Sequence, residues 1–354
     1  MTKYSFIQLV RLGIGHDAGT IPSDTDWNNI EVLANKQGLS AVIMDGLEKL
    51  SNQITPPKEL LLQWIGETLN NYEYRYELYR RAIAEMAAFY NEHNIKMMIL
   101  KGYACSLDWP KPEHRPCGDI DVWQFGRQKT ADVFLMSEKG IRIDDSHHHH
   151  TVFYWRDIMV ENHYDFVNVH GRRSNKELER VFKELGVDDS FYTELYGERI
   201  YLPSPNLHAL FLIRHLVSHF ASERITLRQV LDWAFFVKKH SNEVDWVWLI
   251  AILKKYHMDM FVECLNGICI NDLGFKPEAF HVTHFDSSLK DRVLQDILSP
   301  GFEGKEPKMI IKRLLYKYRR WQANAWKQRL CYSESRWSVF WWGVWSHLLK
   351  PASI

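Results

Sequence analysis

One stretch of the chain, IKMMILKGYACSLDWPKPEHRPCGDIDV at residues 95–122, constrains the fold more than any other. Its apolar start, residues 95–100, is short and lies between Asn94 and Gly102, which is typical of a buried strand. Gly102 permits a tight turn or a close approach of the backbone to a ligand, because glycine has no Cβ. A second short strand is predicted at residues 119–124. The stretch therefore predicts two strands of one sheet, with a turn and a proline-rich loop between them.

The second predicted strand carries two acidic residues. Side chains two residues apart on a strand point to the same face, so Asp119 and Asp121 would lie side by side. Ile120 and Val122 would then face the core. Neighbouring carboxylates repel each other unless a cation lies between them, and Mg²⁺ (or Mn²⁺) suits such hard oxygen ligands. The pair indicates a divalent metal site, and a solvated acidic strand end is the alternative.

Two motifs in this stretch resemble the signature of poorly characterised bacterial nucleotidyltransferase-like proteins, which belong to the DNA polymerase beta-type nucleotidyltransferase superfamily. The motifs are LKG at residues 100–102 and RPCGDID at residues 115–121, and the resemblance extends more weakly to residue 232. It implies an α+β fold, in which a small mixed sheet lies between largely helical N- and C-terminal regions. It also implies an enzyme that uses Mg²⁺ (or Mn²⁺) to transfer a nucleoside monophosphate from a nucleoside triphosphate, ATP first, to an unknown acceptor. A catalytically degenerate module that binds a nucleotide or a protein is the alternative.

The resemblance places a Glu-x-His motif on a later strand, and residues 158–167 contain one. This segment alternates clearly, so that Glu161, His163 and Asp165 share a face. Glu161 is the predicted third carboxylate, which would complete the metal ligands and take the proton of the acceptor hydroxyl. Asp165 is its rival. His163 is assigned to substrate binding, and a hydrogen-bonded structural histidine is the alternative.

Two cations flank the proline-rich loop. Lys101 follows the first strand and Arg115 precedes the acids, so either would reach a triphosphate, lysine as a point charge and arginine as a bidentate fork. The alternative for Arg115 is an ion pair with one of the two acids. Gly102 and Gly118 complete the predicted nucleotide-binding turn. Tyr103 occupies the position at which the superfamily usually has a second small residue, which favours the degenerate module.

A later helix carries a second arginine and aspartate, Arg228 and Asp232, in the segment TLRQVLDWAFF. The resemblance implies that this pair belongs to the helix that closes the nucleotide site. The alternative is an i,i+4 ion pair on the helix surface, worth only about 0.3–0.5 kcal/mol.

Four consecutive histidines, His147, His148, His149 and His150, precede a strand predicted at residues 151–155. Imidazole is a common ligand of transition metals. Adjacent residues on a strand alternate faces, so at most two of the four would share one site. We therefore favour a polar loop that leads into the strand, and a place at the mouth of the active site is the alternative.

The chain has 354 residues, enough for more than one domain. We predict an N-terminal helical region at residues 1–94, a nucleotidyltransferase-like core at 95–202 and a C-terminal helical domain at 203–354. The five cysteines are dispersed, which is typical of reduced thiols. The N-terminus lacks the shape of a signal peptide, and no window offers about 18 consecutive apolar residues. We therefore expect a cytoplasmic protein with no membrane span.

Residues 308–329 combine basic and aromatic side chains, a composition that binds single-stranded nucleic acid in some proteins. The chain carries 44 Lys and Arg against 44 Asp and Glu, so its net charge does not attract nucleic acid, and this partner is not favoured. Trp337, Trp341 and Trp345 recur every four residues. This spacing indicates a helix that docks on the core or on a second copy of the chain, and a homodimer stays open.

Overall fold

The computed structural model describes residues 2–50, 55–170, 172–281, 284–302, 304, 307, 309–335 and 337. Its α-helices are α1 (Thr2–Gly13), α2 (Trp27–Gln37), α3 (Ser40–Glu48), α4 (Lys58–Glu67), α5 (Tyr74–Glu92), α6 (Tyr103–Ser106), α7 (Gln128–Lys139), α8 (Arg173–Leu185), α9 (Pro205–Ser222), α10 (Leu227–His240), α11 (Trp246–Lys255), α12 (Asp259–Gly267), α13 (Ser287–Leu298), α14 (Ile310–Ala323) and α15 (Ala325–Cys331). The strands are β1 (Met98–Ile99), β2 (Ile120–Trp123), β3 (His150–Trp155), β4 (Ile158–His163), β5 (Tyr192–Leu195) and β6 (Glu198–Tyr201). The predicted α+β fold is confirmed.

The chain forms two compact units, each assembled from separate segments. The first unit contains Met1–Glu73, Asp108–Arg115 and Ile213–Ser333, and the second contains Tyr74–Leu107, Pro116–Leu212 and Glu334–Ile354. The boundaries that we placed after residues 94 and 202 follow the order of the chain, whereas the two units are defined by contacts between distant segments. Those boundaries stay predictions.

The second unit contains a six-stranded mixed sheet, formed by the strands of the described residues in the order β3-β4-β2-β1-β6-β5. β2 pairs antiparallel with β1 and parallel with β4, and β1 pairs parallel with β6. Parallel neighbours need a long connection, and α7 and β3 supply it between β2 and β4. The arrangement places the predicted acidic strand between two others.

One face of this sheet is covered by α5 and α7. Their buried side chains form one apolar cluster with strand residues that include Val122 and Val160, and both of these valines are completely buried. Ile120 belongs to the same cluster, so the prediction that Ile120 and Val122 face the core is confirmed. Since side chains alternate along a strand, Asp121 lies on the opposite face.

β3 and β4 form a hairpin whose turn sets their register. The turn residues Arg156 and Asp157 have φ values of 48° and 63°, as in the type I′ turn that matches the twist of two-residue hairpins. Trp155 pairs with Ile158 next to this turn, and at the far end His150 pairs with a histidine of β4. The turn therefore determines which β3 residue lies beside the end of β4.

In the first unit, α10 begins with a reciprocal cap. The Thr226 side chain accepts from the backbone N–H of Gln229, and the Gln229 side chain accepts from the backbone N–H of Thr226. This capping box satisfies two donors that a helix start leaves without partners. Asp232, one turn further, is buried. The cap thus fixes the part of the helix that carries this carboxylate.

Two sequence predictions fall partly outside the described residues. Trp341 and Trp345 of the predicted docking helix lie there, as does Lys308 of the basic and aromatic segment 308–329. Across the part of the chain that the structure describes, no helix combines the length and the apolar character needed to cross a membrane.

Candidate functional site

Asp121 is at the centre of a charged cluster in the second unit. It is completely buried on β2, and its Oδ1 accepts from Lys101 Nζ at 3.0 Å and from His163 Nε2 at 3.0 Å. Lys101 reaches this position because the segment after β1 runs beside β2, where the N–H of Leu100 donates to the carbonyl of Asp121. His163 ends β4, the other neighbour of β2. One cationic donor thus comes from the segment after β1 and the other from the end of β4, the two neighbours of β2.

Glu161 lies directly beside Asp121. The two residues are register partners in the parallel pair β2 and β4, so their side chains project from the same face of the sheet. His163 Nε2 is 3.5 Å from Glu161 Oε2. One ligand atom from each of Asp121, Glu161 and His163 can be chosen so that all three lie within 4.8 Å of one another. The rival acid, Asp165, follows the strand and pairs with Lys183 at 2.6 Å.

Asp119 belongs to the same charged neighbourhood. It precedes β2 and does not begin the strand as we predicted, since the ladder starts at Ile120. Burial raises the pKa of Asp119, and the charges of Asp121 and Glu161 raise it further against the opposing effect of Lys101. The structure therefore brings all three predicted carboxylates close enough to sense each other's charge.

The cluster holds opposite charges in place at neutral pH. Burial on its own would raise the pKa of Asp121, but Lys101 and the hydrogen bond from His163 outweigh burial and hold the pKa far below its ordinary value. Burial would lower the pKa of His163, yet its hydrogen bonds to Asp121 and Glu161 raise it to about 9. Asp121 is thus an anion and His163 a cation.

The second oxygen of Asp121 shows what the cluster is suited to bind. Oδ2 is buried and has no hydrogen-bond partner within the described part of the chain. A buried carboxylate oxygen without a partner is costly, and such an atom commonly marks a place for a water or an ion. Three carboxylates are the hard oxygen donors that Mg²⁺ and Mn²⁺ prefer. The residues therefore fit a divalent cation.

The turn after β1 contains a glycine that lets its backbone pass close to the segment before β2. Gly102 has a φ of 62°, and a Cβ at this position would lie 3.3 Å from the carbonyl oxygen of Asp119. Tyr103, which follows, is buried in the apolar cluster and stacks on Tyr76 with 5.9 Å between ring centroids. Gly118 is held from α5, because the hydroxyl of Tyr79 donates to its carbonyl at 2.7 Å. The Tyr103 ring therefore contributes to the core of the unit.

The remaining predicted residues, Arg115, Arg228 and Asp232, belong to the first unit. The carboxylate of Asp232 accepts from Arg115 Nε at 3.1 Å and from its terminal nitrogen at 2.9 Å, and Trp109 Nε1 donates to it at 2.9 Å. This is a bidentate pair between two buried side chains. The assignment of these three residues to nucleotide binding stays a prediction.

Two residues that we did not include in the predicted site lie against it. His150 begins β3, is 7 % exposed and pairs in register with His163. The interpretation of the histidine run as a polar loop is therefore wrong for His150. The His149 ring lies 4.4 Å from that of His150 and 5.6 Å from that of His163. The position of the hairpin turn would have revealed that His150 lies beside His163, because equal numbers of residues separate the turn from each of them.

Burial also determines the charge of these two imidazoles. Burial and the neighbouring His163 lower the pKa of His149 to about 2. Burial lowers the pKa of His150 to about 4, although Glu161 opposes the shift. Both side chains are therefore neutral at physiological pH.

Comparison with known proteins connects this cluster to a family. Residues 23–269 match the sequence model of a family described as an uncharacterised nucleotidyltransferase. No curated protein matches the chain. A crystal structure of an antigenic nucleotidyltransferase-like protein from Paracoccidioides brasiliensis is similar at 15% identity and a TM-score of 0.33, over 45% of this chain and 75% of that chain. The family match spans more than half of the chain and includes every residue of the charged cluster.

Proposed function

Because the chain belongs to the uncharacterised nucleotidyltransferase family, we propose that it transfers a nucleoside monophosphate from a nucleoside triphosphate to a hydroxyl or phosphate acceptor. The acceptor oxygen would form a bond to the α-phosphorus, and the bond between that phosphorus and pyrophosphate would break. The observation that carries the proposal is the pairing of Asp121 with Glu161 on adjacent strands, with Asp119 beside them.

The three carboxylates would hold a divalent cation, Mg²⁺ or Mn²⁺. The orphaned Oδ2 of Asp121 supports this assignment, because it is a buried hard donor for which the described residues supply no hydrogen bond. When bound, such an ion neutralises phosphate charge and orients the reacting groups for displacement at phosphorus.

The chain's own residues would prepare this site before the substrate arrives. Lys101 and His163 stabilise the anionic form of Asp121 through hydrogen bonds of 3.0 Å each. Lys101 remains partly accessible, with 18% of its side chain exposed, so we assign it to phosphate neutralisation as well. Glu161, with 19% of its side chain exposed, is the acid suited to take the proton of the acceptor hydroxyl.

A specific observation favours a second candidate, a module that binds a nucleotide and does not transfer it. Two cationic groups already hold Oδ1 of Asp121, so the charge of this carboxylate is compensated without a metal ion. In that case the cluster would contribute to the stability of the second unit and the nucleotide would serve as a ligand only.

Calorimetric titration with Mg-ATP and an assay for pyrophosphate release over several acceptors test both candidates. We expect the wild type to bind Mg-ATP and to release pyrophosphate with one acceptor class. Asp119→Asn should lower the rate at least about 100-fold, because one of the carboxylates at the metal site is lost. Asp157→Asn is the matched control, since Asp157 is exposed at the opposite end of the β3–β4 hairpin and asparagine tolerates its positive φ.

Binding without pyrophosphate release would support the second candidate and contradict the first. Folded wild type that binds none of ATP, GTP, CTP or UTP in the presence of Mg²⁺ or Mn²⁺ would contradict the nucleotide role altogether.

A further inference from the structure

Three histidines from the start of β3 and the end of β4 converge on one edge of the charged cluster. Nitrogen atoms of His149, His150 and His163 lie within 4.8 Å of one another. The ring centroids of His150 and His163 are 5.3 Å apart, because the two residues are register partners at the end of the hairpin. His149 precedes the strand, where the backbone bends, so it does not turn to the opposite face as a strand neighbour would. A bend at the start of β3 thus places consecutive histidines in one cluster.

Two of these imidazoles have nitrogen atoms that are buried and lack partners. The Nδ1 atoms of His149 and His150 accept and donate no hydrogen bond within the described ranges of the chain. His150 is more than nine-tenths buried, and its Nδ1 is 3.9 Å from Glu161 Oε2, beyond hydrogen-bond distance. Buried polar atoms without partners are uncommon and point to a ligand that would satisfy them.

We propose that His149, His150 and His163 bind a transition-metal ion of the type that prefers imidazole, such as Zn²⁺ or Co²⁺. These ions favour three or four nitrogen or sulfur donors. A ligating imidazole must be neutral, so binding would release the proton of His163 to solvent. It would also break one of the hydrogen bonds of this ring, either from Nε2 to Asp121 or from Nδ1 to the carbonyl of Asp165. A tetrahedral ion about 2.0–2.1 Å from each nitrogen would require small side-chain rotations that draw the rings together. This ion differs in donor chemistry from the Mg²⁺ or Mn²⁺ at the carboxylates. Its binding is measured without nucleotide, so the inference does not depend on the proposed transfer reaction.

The surroundings complete the coordination and orient it. Glu161 Oε2, within 4 Å of His150 Nδ1, would be the fourth donor, and the two proposed ions would then share this carboxylate. The ring of His147 stacks on that of His150, with centroids 4.7 Å apart and planes 25° apart. Such contacts restrict the orientation of a ligating ring. The ion would therefore connect β3 and β4 beside the carboxylates.

Titration of the untagged full-length protein with Co²⁺, in the absence of nucleotide, tests this inference. We expect one equivalent to bind with the intense visible absorption of a four-coordinate ion, and Zn²⁺ to displace it. His149→Ala and His150→Ala should each weaken binding by at least about tenfold. His148→Ala is the matched control from the same run of histidines and should keep the wild-type Kd. Asp119→Asn should also keep it, which separates this site from the proposed magnesium site.

Equal Kd values for the His148→Ala and His149→Ala proteins would overturn the inference, and so would the weak spectrum of a six-coordinate ion. Circular dichroism verifies that each variant is folded. Should His150→Ala fail to fold, His149→Gln at the less buried position gives the decisive Kd. Loss of Co²⁺ binding in that variant supports the site, and an unchanged Kd refutes it.

Discussion

Replacing Asp232 with alanine should destabilise the first unit more than any surface substitution. Asp232 is 5 % exposed and Arg115 6 %, and the carboxylate accepts both nitrogen donors of Arg115 as well as Trp109 Nε1. Removal of one member of a buried pair leaves the other charge without compensation, which costs about 3–5 kcal/mol. Proteins have total stabilities of about 5–15 kcal/mol, so the variant should lose a large part of its free energy of unfolding.

Equilibrium unfolding in urea, followed by tryptophan fluorescence, measures this loss. Glu223→Ala is the matched control, because its ion pair with Arg320 lies in the same unit and 54% of the Glu223 side chain is exposed. We expect the control to cost about 0.2–1 kcal/mol. The double variant Arg115→Met, Asp232→Leu replaces both charges with apolar groups and should recover stability relative to Asp232→Ala.

Two results would refute this reasoning. The first is a cost for Asp232→Ala that is no larger than that of Glu223→Ala. The second is a double variant that is less stable than the single variant, since a lone buried guanidinium would then not be the source of the loss.

Three further predictions concern the second unit. Burial raises the pKa of Glu179 to about 7, so the folded state binds this proton more tightly than the unfolded state. The resulting stabilisation of the fold is full below about pH 4, and it is lost as the pH rises through 7. Urea unfolding across this range should therefore show a smaller decline for Glu179→Gln than for the wild type. Gly102→Ala should cost about 1–2 kcal/mol in the same measurement, because the residue has a φ of 62° and its new Cβ would crowd the carbonyl of Asp119. Asp132→Ala removes the carboxylate that accepts hydrogen bonds from buried side chains of β3 and β4. It should lower the free energy of unfolding by about 2–4 kcal/mol, and an equal loss in the Asp157→Asn protein would contradict this.

Local patterns predicted the acidic strand well. Ile120 and Val122 face the apolar core as their alternation indicates, because strand side chains have a period of two whatever the rest of the fold does. The end of α7 at Gly140, which has a φ of 64°, follows from the left-handed conformation that glycine accepts. Such features depend on neighbours within a few residues, and the sequence contains all of those neighbours.

The ion-pair partner of Arg115, in contrast, could not be predicted from neighbouring residues. The sequence left a phosphate or one of the nearby acids as alternatives, whereas the structure pairs Arg115 with Asp232, 117 positions away. A guanidinium binds any carboxylate that the fold brings within reach. Its own segment therefore does not determine which carboxylate that is.

The sequence by itself determined the strand that carries Asp121 and the face on which its side chain lies, since these depend on backbone geometry and local periodicity. The α+β class followed from the family resemblance that the sequence motifs carry. Only the tertiary structure decided that Glu161 is the acid beside Asp121 and that His149 and His150 join His163. The physical reason is that strand order and register result from the packing of the whole sheet, and neither is written in the residues of any one strand.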